Sequence, residues 1–178
     1  MKSVKNMKML STAVIAAVLT VSAFALPVHA EENTTSASTE FSYVQKNEPT
    51  YTVSIPSALA LSKEGTALNI EAKDVADLDG KKVTVTIAGT DYYRNQLVLQ
   101  AKTSKPTYTD TIRYQLIAAD GNTIETTGND TATGTELASF TGNGTVTYTA
   151  KPVLDSRMNI EPGVNYTGTM TFGIGLTE

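Results

Sequence analysis

Residues 82–87 read Lys-Val-Thr-Val-Thr-Ile and residues 145–149 read Thr-Val-Thr-Tyr-Thr, and this alternation decides the fold class. In both stretches apolar side chains occupy one set of alternate positions and threonines occupy the other. A period of two is that of a strand with one buried and one solvated face. Threonine is branched at Cβ and suits the pleated surface of a sheet. Both stretches therefore predict half-buried β-strands.

The same alternation recurs along the chain, in Tyr51-Thr-Val-Ser-Ile55 and over the long final stretch 166–177. In that final stretch one face carries Tyr166, Met170, Phe172, Ile174 and Leu176. Further strands are predicted near residues 67–72, 96–101, 111–118 and 122–126. The turn signals are Asp79-Gly80, Asp120-Gly121, Gly142-Asn143-Gly144 and Pro162-Gly163. Only residues 73–78 have a spacing compatible with a short helical turn.

Eight to ten short strands at regular spacing predict an all-β fold. We expect an antiparallel two-sheet β-sandwich of immunoglobulin-like type over residues 49–178, with a closed barrel as the alternative. The length corresponds to one domain. The hairpin at Asp120-Gly121, between residues 114–118 and Ile124, has the clearest signal.

The first thirty residues have the pattern of a secretory signal peptide, followed by a leader. Lys2, Lys5 and Lys8 form a basic region, residues 9–26 are mostly apolar, and the segment ends in Pro27-Val-His-Ala30. This pattern predicts cleavage after Ala30 and export from the cell, and the alternative is a retained membrane anchor. Residues 31–48 follow as a flexible leader that includes a candidate first strand.

Composition excludes several kinds of chemistry. The chain has no cysteine and no tryptophan, and its only histidine, His29, lies in the segment predicted to be removed. Thiol nucleophiles, disulfides, imidazole acid–base catalysis and the commonest transition-metal ligand are therefore excluded from the exported form. We predict no catalytic residues, no cofactor and no metal. A hydrolase that uses only carboxylates remains chemically open, with Asp91, Asp110, Glu125, Glu136, Asp155 and Glu161 as the available acids.

Three aspartates, Asp74, Asp77 and Asp79, precede Gly80. Oxygen clusters on a turn bind hard cations such as calcium. The spacing departs from the calcium-loop pattern D-x-[DN]-x-[DN]-G, and a distal glutamate at the required offset is missing. The sequence favours a solvated turn here.

The stretch Gly89-Thr-Asp-Tyr-Tyr-Arg-Asn95 is the best candidate for recognition. Tyr92 and Tyr93 offer rigid amphipathic rings, and Arg94 and Asn95 add planar groups that form hydrogen bonds, a combination favoured in binding loops. A binding role requires at least one exposed ring with Arg94 beside it. The alternative is that both rings pack on the edge of the domain.

Three segments carry a resemblance to known proteins: 51–56, Lys82-Val-Thr-Val-Thr-Ile87 and Tyr166-Thr-Gly-Thr-Met-Thr-Phe172. In the alternation of threonine or serine with apolar residues along each strand, they resemble small secreted immunoglobulin-like or pilin-like β-sandwich domains of Gram-positive surface proteins. They depart from the WxL surface domains because the chain has no tryptophan. The resemblance implies adhesion or envelope structure, by analogy of fold.

The function expected from these observations is that of a secreted bacterial cell-surface structural or adhesive protein without catalysis. The alternative is a soluble carbohydrate-binding module that uses Tyr92 and Tyr93. The expected partners are other envelope proteins, or the protein itself through strand edges, and glycans. No cluster of Lys or Arg suggests nucleic acid, and no membrane contact is expected after cleavage. The segment Phe41-Ser-Tyr43 either begins the chain's own first strand or adds to a neighbour's sheet.

Overall fold

The computed structural model describes residues 39–178, and no α-helix occurs in this range. Nine strands form instead, so the all-β prediction is confirmed. Their bounds are β1 Thr50–Ser54, β2 Thr66–Ala76, β3 Lys82–Thr90, β4 Val98–Gln100, β5 Thr111–Ala118, β6 Thr123–Ile124, β7 Glu136–Phe140, β8 Gly144–Pro152 and β9 Met170–Thr177.

The strands form two antiparallel sheets. The large sheet has the order β1-β2-β8-β5-β4, and β6 pairs with β5 on the same side as β4. The small sheet has the order β7-β3-β9. Neighbouring strands in each sheet are often distant in sequence, as β2 and β8 are, so the chain crosses between the sheets several times.

One apolar core is shared by both sheets. Ile70 and Leu116 contribute from the large sheet, and Val83, Val85 and Ile87 contribute from β3 in the small sheet; all five are almost completely buried. The apolar positions of the alternating pattern therefore face inward, as predicted, but Thr84 on the opposite face of β3 is also buried, so the expected solvated face is wrong at that position. Burial of such side chains stabilises a domain by roughly 1.5–3 kcal/mol each.

The predicted hairpin is confirmed between β5 and β6. Leu116 pairs with Ile124, and the turn contains Gly121 at φ 87°. The Asn122 amide donates a hydrogen bond of 2.9 Å to Asp120 Oδ1, which is a local interaction typical of aspartate in turns. Because these interactions are local to the turn, Asp120-Gly121 alone was enough to predict the hairpin.

Two strands differ from the sequence-based expectation. Residues 73–76 continue β2 rather than forming a helical turn, because β1 pairs with them through Thr52–Lys73 and Thr50–Ala76. Strand β7 was not predicted, since Glu136-Leu-Ala-Ser-Phe140 has no clear alternation. It forms because β3 supplies a paired backbone edge.

The final stretch is not one strand. Thr167 pairs with Gln100 beside the large sheet, whereas Met170 pairs with Thr90 in the small sheet. The chain passes between the sheets at Gly168, where an added Cβ would lie 2.7 Å from the Val98 carbonyl oxygen. Glycine permits this close approach.

Residues 39–48 form no strand, and the first strand begins at Thr50. The side chains of Phe41, Tyr43 and Val44 are 91%, 83% and 80% exposed. The predicted signal peptide, residues 1–30, lies outside the described residues. Between residues 39 and 178 the structure contains no helix long and apolar enough to cross a membrane.

Candidate functional site

The recognition stretch forms a compact loop, residues 91–96, between β3 and β4; we call it the tyrosine loop. Tyr93–Asn95 make a single 3₁₀ turn in which Arg94 and Asn95 have positive φ angles of 56° and 54°. Such angles are uncommon outside glycine, and asparagine is one of the residues that tolerates them best. The backbone here is therefore held in a specific shape.

Hydrogen bonds inside the loop hold that shape. The Thr90 amide donates to Asn95 Oδ1 at 3.1 Å, and the Thr90 hydroxyl donates to the Gln96 carbonyl at 2.9 Å. The same hydroxyl accepts a bond of 3.3 Å from the Tyr92 amide. The loop is thus closed by the side chain of Asn95, a planar hydrogen-bonding group already evident in the sequence, and by that of Thr90, which the sequence did not indicate.

Further hydrogen bonds tie the loop to the rest of the domain. Asp91 and Thr169 exchange two bonds, from the Asp91 amide to the Thr169 carbonyl at 3.1 Å and from the Thr169 amide to Asp91 Oδ1 at 2.9 Å. Gln96 Nε2 donates to the Gly128 carbonyl at 2.9 Å. These contacts join the loop to two distant chain segments, so its position is fixed as well as its shape.

The loop presents one aromatic ring to solvent. Tyr93 is 70% exposed, and the Arg94 guanidinium carbon lies 5.3 Å from the centre of its ring. That distance is within the range of a cation–π contact. Tyr92 is half-buried. The geometric requirement for binding, an exposed ring with Arg94 beside it, is therefore met.

A tyrosine face beside a guanidinium suits planar and polyhydroxylated groups. The ring offers an apolar surface, while the hydroxyl and the guanidinium offer hydrogen bonds. Because the surrounding bonds already order the loop, little conformational entropy is lost when a ligand binds. The arrangement can bind a peptide or sugar surface.

The three aspartates before Gly80 are not gathered into a site. Asp74, Asp77 and Asp79 all have positive φ angles near 54°, and the Asp74 carbonyl and carboxylate accept bonds from Thr50 and Thr52 of β1. Within residues 39–178 no group of three acidic or metal-binding side chains could hold a metal ion. The structure thus places the aspartates in turn and edge positions.

Several carboxylates considered for hydrolysis already have hydrogen-bond donors. Asp155 binds Arg157 through Nε and Nη2, the latter at 2.7 Å, and this guanidinium lowers the pKa of the carboxyl group. Glu161 accepts bonds from the Ser104 amide at 2.7 Å and from the Ser104 hydroxyl. Asp91 is engaged with Thr169, as described above. For Asp155, whose ionised form the guanidinium stabilises, a lowered pKa does not suit a general acid.

A second feature is an apolar cleft whose lining includes Thr169, the residue that bonds to Asp91 of the tyrosine loop. It has a volume of about 220 Å³ and is lined by Leu59 and Leu61 of the β1–β2 connection, by Leu99 of β4, and by Met170 and Phe172 of β9. A broader groove beside it includes Ile112, Leu154 and Ile160. No charged side chain lines the apolar cleft, so it suits an apolar group.

Comparison with known proteins finds no matching family, no similar curated protein and no similar solved structure.

Proposed function

We propose that this protein is a secreted bacterial cell-surface structural or adhesive protein that acts by binding and assembly, with the tyrosine loop as its contact site. The observation that carries the proposal is the exposed Tyr93 ring, paired with Arg94 on a loop that hydrogen bonds hold in place. Surface loops on a rigid scaffold are where binding residues concentrate.

The proposed architecture is an immunoglobulin-like β-sandwich. The order β1-β2-β8-β5 of the large sheet corresponds to the order A-B-E-D of that fold. In the small sheet β3 and β9 then take the places of strands C and F. This correspondence supports the assignment, under which the tyrosine loop would follow strand C.

Secretion is part of the proposal because of residues 1–30, whose basic, apolar and small-residue regions follow the order of a signal peptide. Removal of Lys2, Lys5 and Lys8 leaves 11 basic and 18 acidic side chains, and hence a net charge of −7. A net charge of this size favours solubility outside the cell. The absence of cysteine in the sequence suits an exported bacterial domain, whose length is sufficient to form a core without disulfides.

A second candidate function is that of a soluble carbohydrate-binding module. It is favoured by the same Tyr93 ring, because sugar rings stack on exposed aromatic faces while their hydroxyl groups bond to neighbours such as Arg94. The two functions differ in the ligand. An adhesive protein binds an envelope or host surface and keeps that binding in the presence of free glycans, whereas a carbohydrate module binds isolated glycans.

The experiment compares Tyr93→Ala and Arg94→Ala with the unchanged chain. Binding to purified bacterial cell walls, to host mucin and to a glycan array is measured for each. Leu154→Ala is the control, because it removes an exposed apolar side chain outside the loop. Loss of binding in the loop variants alone supports the proposal, and glycan-array binding identifies the second candidate. Equal binding by all variants, or none by any, contradicts a role for the loop.

A further inference from the structure

Strand β9 is an unprotected sheet edge. Within residues 39–178 it pairs only with β3, so its other side presents unpaired N–H and C=O groups along Met170–Thr177. Natural proteins protect such edges with charged residues, prolines or short strands. The eight residues of β9 include no charged side chain and no proline. The other edge of the small sheet, β7, has five residues and begins with Glu136.

The inward face of β9 is incompletely covered. Its four apolar side chains, Met170, Phe172, Ile174 and Leu176, are all only partly buried. In β3, which has strands on both sides, the partners of Phe172, Ile174 and Leu176 are fully buried: Ile87, Val85 and Val83. An additional strand beside β9 would bury more of this apolar surface, which stabilises by roughly 25 cal/mol per Å².

The position beside β9 corresponds to a strand of the proposed fold. If β3 and β9 are strands C and F, the strand that follows F in that sheet is G. The apolar cleft of about 220 Å³ lies against Met170 and Phe172. A dry apolar cavity of about 150 Å³ is enough to hold a benzene ring. The cleft can therefore hold one aromatic side chain of an added strand.

The chain itself contains a segment suited to this edge. Phe41, Ser42 and Tyr43 alternate apolar and polar, and Phe41, Tyr43 and Val44 are the three most exposed large apolar side chains of residues 39–178. Phe41 and Tyr43 are two residues apart, which is the spacing between the inward-facing side chains of β9. Burial of these two exposed aromatic rings against another surface would lower the free energy and so favour binding of the segment.

We propose that Phe41–Val44 of one copy adds as a strand to the free edge of β9 in a second copy, placing an aromatic ring in the apolar cleft. This inference rests on the assembly role within the proposed function and names the partner as the protein itself. Donor and acceptor are different surfaces, so the contact is head-to-tail. Contacts of this type produce open chains of subunits unless the rotation closes a ring.

The topology favours a second copy over the same chain as the donor. Thr50 opposes Ala76 at the end of β2, and Thr177 opposes Lys82 at the start of β3. Since residues 77–81 connect these two strands, β1 begins at the end of the domain where β9 ends. If Phe41–Val44 continued in one direction into β1, it would run parallel to β9 of its own chain. A second copy is free to pair antiparallel, which is the more stable arrangement per residue.

The test uses single-cysteine variants of the full chain, expressed with residues 1–30 and recovered after export. The chain has no native cysteine, so each protein carries one thiol. Ser42→Cys is mixed with Thr171→Cys on β9 under mild oxidation, and one protein carries a mass tag. The matched control mixes Ser42→Cys with Ser139→Cys, an exposed position on the other edge of the small sheet. A disulfide between two different chains reports contact between copies.

We expect the mixture with Thr171→Cys to give about ten times more tagged heterodimer than the control mixture, a ratio that corresponds to about 1.4 kcal/mol. The double variant Phe41→Ala/Tyr43→Ala should sediment as a monomer with an unchanged circular dichroism spectrum, while the unchanged chain sediments as larger assemblies. Equal cross-linking in both mixtures, or a monomeric unchanged chain, overturns the inference.

Two further measurements separate the alternatives. If the double-cysteine variant Ser42→Cys/Thr171→Cys forms its disulfide within one chain at high dilution, the segment covers its own β9 and the proposal of a second copy fails. Cell-wall binding is measured on the same samples. A monomer whose binding still depends on Tyr93 contradicts the assembly inference and leaves the proposed binding function standing. Intact assembly without binding contradicts the role of the tyrosine loop.

Discussion

The hydroxyl group of Tyr148 in β8 donates a hydrogen bond of 2.8 Å to the Leu137 carbonyl oxygen in β7. The two residues belong to different sheets and both are buried. The bond links the sheets near the short β7–β8 connection. Because the ring of Tyr148 lies in the apolar core, its polar end needs a partner, and the carbonyl supplies it.

We predict that Tyr148→Phe lowers the free energy of unfolding by about 1–2 kcal/mol, because the buried Leu137 carbonyl loses its donor. Urea unfolding followed by circular dichroism measures the change. Tyr51→Phe is the control, since Tyr51 lies half-buried on the edge strand β1 and should change the stability little. An equal loss in both variants would show that the inter-sheet bond has no special contribution.

Alkaline pH should destabilise the domain through Tyr114. Burial, together with the nearby Asp91 carboxylate, raises the pKa of Tyr114 from 10.0 to about 12. The native state therefore keeps this proton between pH 10 and 12 while the unfolded state releases it. The stabilising contribution is complete below pH 10 and is lost as the pH rises toward 12, by about 2–3 kcal/mol.

The measurement is the free energy of unfolding of the unchanged chain and of Tyr114→Phe at several pH values from 8 to 12. The variant should lose less stability than the unchanged chain over the upper part of this range. Absorbance of the tyrosinate ion reports how many tyrosines have ionised at each pH. The variant should have one fewer tyrosine that ionises near pH 12. Burial also raises the pKa of Tyr148, with Asp120 and Glu136 contributing, so a smaller alkaline loss remains in the variant. Identical pH curves would contradict the role of Tyr114.

Gly168→Ala should destabilise the crossing between the two sheets. The new Cβ would lie 2.7 Å from the Val98 carbonyl oxygen, and Val98 is held by its pairing with Arg113 in β5. Overpacking of this kind costs about 1–3 kcal/mol. Gly142→Ala is the matched control, because an added Cβ there meets no atom within 4 Å. A thermal melt of both variants distinguishes close approach from a general effect of replacing glycine.

Asn95 should control the tyrosine loop. Asn95→Ala removes the bond from the Thr90 amide and places alanine at a positive φ, so we expect a loss of about 1–3 kcal/mol in stability. Asn95→Gly removes the bond and tolerates the angle, so it should lose less. Both variants should bind cell walls more weakly than the unchanged chain. Unchanged binding in Asn95→Ala would show that the ordered loop is unnecessary.

The fold class and most strands could be predicted because their determinants are local. In β3 the alternation of valine with threonine specifies a strand with two different faces, and Asp120-Gly121 specifies a hairpin through bonds between residues two apart. The candidate loop could also be predicted from local chemistry, since Tyr92, Tyr93 and Arg94 are adjacent. These features require no knowledge of distant residues.

Tertiary structure decided what depends on pairing between distant segments. Strand β7 forms because β3 supplies its hydrogen-bonding partner, and the final alternating stretch divides at Gly168 because its two halves pair with different sheets. The sequence identified Tyr92 and Tyr93 as equal candidates, whereas in the folded loop Tyr93 is 70% exposed and Tyr92 is half-buried. The physical reason is that strands pair through backbone N–H and C=O groups, which are nearly the same for every residue type. The alternation of side chains therefore determines where a strand forms but not which strand it pairs with.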